Sequence, residues 1–459
     1  VTARTLFDKI WDAHVVVRRD DGLCLLYIDR HYFHEGSFHA FNQIAARGLA
    51  LRRPDLTFGF GDHYAPTVAR SVEAVADPEI RGIIGTFERN VAAHHLTAFR
   101  LADPEQGIVH VAAPELGLTL PGMTVVCGDS HTSSHGALGA LAFGIGASEV
   151  AHVFATQTIW QAKPKQMLVR FEGRPPPGVT AKDMVLALIA KIGTGGAIGH
   201  AVEFAGEAIR ALSVEGRLTI CNMTIEAGAR TGMVAPDETT FAWLAGRRYA
   251  PPAPDPRWRE LFTDQGARFD AEVVIDTATL GPMATWGTSP EEGAPISGRV
   301  PRAADAPDAT RAAAWQRSLD YMGLQGGEAF ADIPLDIVFL GSCTNARLSD
   351  LRAAAEVLKG RRVAVPMLVS PGSETVRRQA EAEGLDRIFR EAGAEWRHSG
   401  CSLCAAMNGD IVGPRQRCAS TSNRNFPGRQ GREARTHLVS PRTAAASAIA
   451  GRLVPAEAL

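Results

Sequence analysis

The chain has 459 residues, with 48 Lys and Arg against 50 Asp and Glu, for a formal net charge of −2. That balance, with no basic stripe, argues against nucleic acid or an acidic membrane surface as a partner. Apolar residues at 45% and charged residues at 21% describe ordinary globular material of two to four domains, and 7 cysteines in this length make no disulfide scaffold. The start, Val1-Thr2-Ala3-Arg4-Thr5, leads into an amphipathic segment rather than a signal peptide. The apolar stretch 137–147 is glycine-rich and too short to span a bilayer, so a cytoplasmic location is expected.

The pattern predicts a helix over 6–13 and a buried strand over 23–29. The strand's end releases Asp29, Arg30 and His31, then His34 and Glu35, and strand ends are where open α/β sheets bind ligands. A helix over 41–48 follows, then a strand over 56–60 that runs into Gly61-Asp62-His63. An Asp beside a His can hold and charge the imidazole, which then carries protons near neutrality; a polar surface turn is the plainer alternative. Helices are predicted over 67–76 and 84–101. The short apolar run 107–111 reads as a strand carrying His110. A strand over 123–127 opens on Gly128-Asp129-Ser130-His131-Thr132-Ser133, the densest polar cluster of the first half. The glycines that follow let a helix approach something bulky, or let loop amides face an anion.

A strand over 166–172 precedes three prolines in 174–178, which mark a boundary. A helix over 180–192 has Thr180 as its cap, with Asp183 three residues on. Glu203 lies in the apolar run 200–204 and is the buried carboxylate candidate. Such a group needs a partner, which a catalytic histidine would supply. A helix over 212–229 contains Cys221, Asn222 and Glu226, and 281–310 reads as a linker. Three segments follow, 1–173, 174–300 and 301–459.

The last segment alternates strand, loop and helix, which reads as an open parallel sheet. A strand over 335–340 opens on Gly341-Ser342-Cys343-Thr344-Asn345, and an extended stretch at 394–396 precedes Cys401-Ser402-Leu403-Cys404. Cys343, Cys401 and Cys404 can therefore face one cleft. Three thiolates fit an iron–sulfur cube with one open iron, a zinc site with His398 as fourth ligand, or a buried thiol pair beside an unrelated cysteine. Arg424 and Arg429 flank Phe426 in a loop of small polar residues. Arginine forks match carboxylates, so beside a metal site they suggest a di-acid substrate.

Taken together, Asp62-His63, Gly107-Ile108-Val109-His110, Gly128-Asp129-Ser130-His131-Thr132, Gly341-Ser342-Cys343-Thr344-Asn345, Cys401-Ser402-Leu403-Cys404 and Asn423-Arg424-Asn425-Phe426 resemble the 3-isopropylmalate dehydratase large subunits of the aconitase superfamily. The resemblance runs from about residue 5 to 451. It implies an aconitase-like fold of three α/β domains, with mostly parallel sheets around a central iron–sulfur cleft. It further implies one [4Fe–4S] cluster per chain, on Cys343, Cys401 and Cys404, with one open iron. His63 with Asp62 would protonate the leaving hydroxyl. His110 would pair with Asp129, and His131 with Glu203. Arg424, Arg429, Ser130 and His39 would contact substrate.

The implied reaction interconverts 2-isopropylmalate and 3-isopropylmalate by dehydration and rehydration, in leucine biosynthesis. In that family the base is a serine on a swivelling domain, which this chain does not show, so a small partner subunit is expected. One departure is Gly36-Ser37-Phe38-His39, with His39 where the family has glutamine; another is His398-Ser399-Gly400, where leucine and proline are usual. They keep open a paralogue acting on a related hydroxy di-acid of the citramalate, homoaconitate or dimethylmalate type. A zinc-stabilised scaffold and an RNA-binding regulator are the rivals of another class.

Overall fold

A computed structural model describes residues 3–459, which form two compact units. The first takes the chain up to Ala65, Arg70–Gly173 and Ala197–Ile275; the second takes Pro66–Ala69, Arg174–Gly196 and Asp276–Leu459. The segment 174–300 is thus shared between them. No helix among the described residues is long and apolar enough to cross a membrane.

The first unit is built on a five-stranded parallel sheet in the order Thr97–Phe99, Thr57–Phe60, Arg30–His34, Thr124–Cys127, Leu141–Gly144. Its strands are short and apolar because both faces are covered. Alternation along the strands sends Phe33 and Val126 into one core, with Phe41, Phe87 and Phe154, and sends Tyr32 and Val125 into another, with Phe58, Phe60 and Val109. A second sheet of this unit places Thr231–Val234, His200–Ala205 and Lys165–Glu172 side by side in parallel. The second unit has its own five-stranded parallel sheet, ordered Glu395–Trp396, Met367–Val369, Ile337–Leu340, Arg417–Ser420, Arg435–Leu438.

Several local expectations change. Arg30–His34 is itself the middle strand, and His31 is buried in it against Phe154, so it is not a residue released at a strand end. The run around His110 is a helix, Val109–Glu115, not a strand. Six of its seven residues are buried, so no polar face betrays the helical period, and a short apolar run fits either element. Its start is set from a distance, because the Val109 amide donates to Asp62 Oδ2 at 3.0 Å. Residues 67–76 form turns and bends rather than a helix. The helix expected over 84–101 is Pro78–Ala93, capped by Asp77, and a strand at Thr97–Phe99 follows it. The helix at Ala181–Ile192 has the expected Thr180–Asp183 capping box.

The glycines after His131 answer to close packing. The turn Ser130–Leu138 lies on the strand Thr231–Val234, and a Cβ at Gly136 would stand 1.8 Å from the Gly232 carbonyl oxygen. Gly136→Ala is therefore expected to destabilise the chain by about 1–3 kcal/mol, since backbone and not a flexible side chain must yield. Urea denaturation of the two proteins checks this; equal midpoints would contradict it.

Candidate active site

Each five-stranded sheet reverses its strand order at one place, and strand ends at such a reversal are where open α/β sheets bind ligands. In the first unit the reversal falls between Arg30–His34 and Thr124–Cys127. His34-Glu35 and Gly128-Asp129 leave these strand ends, and Gly61-Asp62-His63 leaves the neighbouring Thr57–Phe60.

Asp129 is the hub of what gathers there. Its Oδ2 lies 3.0 Å from His63 Nε2, and its Oδ1 lies 2.9 Å from His110 Nε2. Oδ1 also accepts the His131 amide at 2.6 Å, as an N-cap to the turn Ser130–Leu138. Burial alone would raise the Asp129 carboxyl. The bonds from His110, His131 and His63 overcome it and hold the group well below the usual carboxylate range. His63 moves the other way. Burial would lower it, but the Asp62 charge and the bond to Asp129 raise it well above an ordinary histidine. Its Nδ1 lies 3.5 Å from Asp62 Oδ2. That direction favours the protonated imidazole.

Glu35 builds the turn that carries this histidine. Its two oxygens accept the Asp62 amide at 2.8 Å and the His63 amide at 3.2 Å. Burial and the Asp62 charge push its carboxyl up to about 7. The His34 ring stacks on the His63 ring at 4.3 Å, and burial followed by the His63 charge lowers it to about 4. The two rings of the stack are thus shifted in opposite directions.

His131 is not paired with Glu203. Its Nε2 lies 3.0 Å from Oε1 of Glu226, a residue of the turn Met223–Ala227. The buried helix Val214–Asn222 sets this turn against His131: Ser133 donates to the Cys221 carbonyl at 2.8 Å, and Asn222 donates to Ser134 at 2.8 Å. Glu203 lies on the strand His200–Ala205, whose alternation turns it toward Thr263, and the Thr263 hydroxyl donates to it at 2.6 Å. The sequence signal for Glu226 was present. It is a carboxylate in an apolar run, where a buried helix gives way to a turn before Gly228. Ser130 lies beside His131, Oγ to Nδ1 at 3.5 Å. His39 is not brought to this group; it is exposed on the helix Phe38–Ala46, its ring 3.9 Å from that of Phe38.

In the second unit the order reverses between Ile337–Leu340 and Arg417–Ser420. Cys343 follows the first of these strands, and Thr421-Ser422-Asn423 follows the other. Cys343, Cys401 and Cys404 are all buried, and no cysteine forms a disulfide. Asn423 joins two of them: its Nδ2 lies 3.4 Å from Cys343 Sγ, and its Oδ1 lies 3.7 Å from Cys404 Sγ. Ser342, at φ +83°, donates to Cys404 Sγ at 3.2 Å. Ser402 sits at φ +48° between the paired cysteines. Backbone held in this region at serine costs energy that a site can require. Three buried thiols suit iron–sulfur ligation.

Behind them Lys182 is fully buried, and its ammonium donates to the carbonyls of Thr421, at 2.9 Å, and Ser422. Burial lowers it to about 7, against the pull of Cys404. Arg424 and Arg429 are half-buried, with Arg429 5.6 Å from the exposed Phe426 ring. His398 Nδ1 is 3.2 Å from Glu374 Oε1.

Glu203 supplies a pH test. Burial raises its folded carboxyl from 4.5 to about 7, so between those values the folded chain binds more protons than the unfolded one. Its contribution to stability therefore falls as pH rises from 4.5 through 7 and then levels. Glu203→Gln is expected to flatten that fall by roughly 2–3 kcal/mol. Urea denaturation from pH 5 to 8 reads it, and a slope identical to the parent's would contradict it.

The chain matches the aconitase family (aconitate hydratase) over residues 8–451. Among solved structures, the holo form of aconitase X from Thermococcus kodakaraensis is similar at 13% identity, covering 87% of this chain and 84% of that one, with a TM-score of 0.47. With the family match running through nearly its whole length, this chain belongs to the aconitase family.

Proposed function

We propose that this chain is the large subunit of a [4Fe–4S] hydro-lyase that interconverts 2-isopropylmalate and 3-isopropylmalate through 2-isopropylmaleate. The observation that carries the reading is the Asp129 hub, where one carboxylate holds His63, His110 and the His131 turn at a strand-order reversal. Elimination of water from a hydroxy acid needs a proton for the leaving oxygen and cations for the carboxylates. Cys343, Cys401 and Cys404 would hold the cluster, which would supply Lewis-acid chemistry for the hydroxyl and a carboxylate.

The chain's own groups do the rest. His63 holds the proton that the leaving hydroxyl takes, between Asp129 and Asp62. His131, braced by Glu226, and Ser130 orient the substrate and water. Arg424 and Arg429 bind carboxylate. The base that takes the carbon-bound proton comes from a small partner subunit with a swivelling domain and a serine. His39, exposed where the family has a glutamine, favours a second reading: a dehydratase for a related hydroxy di-acid of citramalate, homoaconitate or dimethylmalate type.

Anaerobic iron and sulfide analysis of the purified chain, with visible absorption, tests the centre. About four irons and four sulfides with broad brown absorbance are expected. Zinc, or no metal after anaerobic reconstitution, would remove the chemical basis of the reading. Turnover is expected only once a small subunit is added. In that assay Glu226→Gln is expected to lower kcat by roughly 100-fold, while Glu203→Gln leaves it near the parent's. The reverse order would return the role to Glu203.

A further inference from the structure

The helices Phe38–Ala46 and Ala147–Thr156 belong to the first unit and pack on each other through Phe41 and Phe154, whose rings lie 4.6 Å apart. Beside this contact they leave a cleft of about 360 Å³. Gln43 and Arg47 line it from the first helix and its C-cap, and Ser148 and His152 line it from the second. Each pair is spaced i, i+4, which puts both side chains on one helix face. Four polar side chains thus meet around one space.

None of the four makes a side-chain hydrogen bond or ion pair to another described residue. For Arg47 and Ser148, which are exposed, solvent accounts for that. His152 is different. Its Nε2 is buried and has no partner, and a polar atom left so costs free energy. The hydroxyl of Thr156, also in the lining, is already spent on the carbonyls of His152 and Thr158, at 2.8 Å and 3.2 Å.

The lining is one-sided in charge. It holds a guanidinium, an imidazole, an amide and hydroxyls, and no aspartate or glutamate among the described residues. The carboxylate next in sequence, Glu149, is engaged elsewhere: it accepts from the Gly146 amide at 2.8 Å and from Gln161 at 3.1 Å. Arginine only donates, and an amide, a hydroxyl and an imidazole protonated at Nε2 can each donate as well. Donors gathered around one cation complement an oxyanion, and the guanidinium fork matches a carboxylate or a phosphate. The rest of the wall is apolar. Ile44 and Ala151 are buried, while Leu49 is 45% exposed and would gain from being covered. The volume lies at the lower end of the range for small-molecule sites.

We propose that this cleft binds a small organic oxyanion, a carboxylate or phosphate carried on a short apolar group. Arg47 takes the anionic head, Gln43, Ser148 and His152 Nε2 donate to its remaining oxygens, and the apolar group covers Leu49 and Ile44. No residue of the lining belongs to the Asp129 group, so this site is separate from the one already described.

The test is calorimetric titration of the full chain at low salt with three probes: 4-methylpentanoate, 3-methylbutyl phosphate and 3-methylbutylamine. At least one of the two anions is expected to bind with a Kd below about 1 mM, and the amine is expected not to bind. Whichever anion binds more tightly identifies the head group. Arg47→Met is expected to weaken that binding by about tenfold or more, because it removes the charge-assisted bonds. His152→Phe, which removes Nε2, is expected to weaken it in the same direction. Arg47 is exposed, so its replacement leaves the core intact, and a urea midpoint equal to the parent's is expected. No binding of either anion, tighter binding of the amine, or anion binding that both substitutions leave unchanged would overturn the proposal. The titration reads neither cluster nor turnover, so its outcome is independent of the dehydratase reading.

Discussion

A single carboxylate organises the first unit's site. Asp129 leaves the strand Thr124–Cys127, caps the turn that carries His131, and accepts from His63 and His110. A carboxylate has room for about four hydrogen bonds, and here nearly all are taken by groups that prefer it charged. Its neighbours inherit that choice. Against burial, Asp62 and Asp129 raise His63, while burial first and the His63 charge second lower His34, which stacks on it. The acid–base states of the crevice thus follow from one backbone position at one strand end.

The two units reach their chemistry by the same route. Each has a five-stranded parallel sheet built outward in two directions from one middle strand. Each places its polar loops where that direction changes. In the first unit the loops hold histidines and carboxylates, and in the second they hold cysteines and Asn423. The sheets need only apolar, β-branched and aromatic residues, so the loops are free to carry function.

Much of this was legible beforehand because strand ends announce themselves. Asp62-His63, Asp129 to His131 and Cys343 all follow short apolar runs that break at a glycine, which favours strand over helix. The failures came where the period gave no information. The helix at Val109–Glu115 is buried nearly all round, so its pattern matched a strand. The partner of His131 was misassigned for a related reason. Glu203 and Glu226 are both carboxylates in apolar surroundings, and choosing between them needs the direction of a side chain across a sheet.

The buried ammonium of Lys182 has a consequence for how the molecule is made. Its segment is near the middle of the chain, yet it belongs to the second unit and is tied to carbonyls 239 and 240 residues further on. A contact across so much sequence forms late, because a long loop must close before it gives anything back. During synthesis the cysteine-bearing strands therefore emerge with one wall of their crevice still missing. That wall is complete only after Ser422 has left the ribosome and met a helix made long before it. The three thiols thus acquire their final surroundings only toward the end of translation.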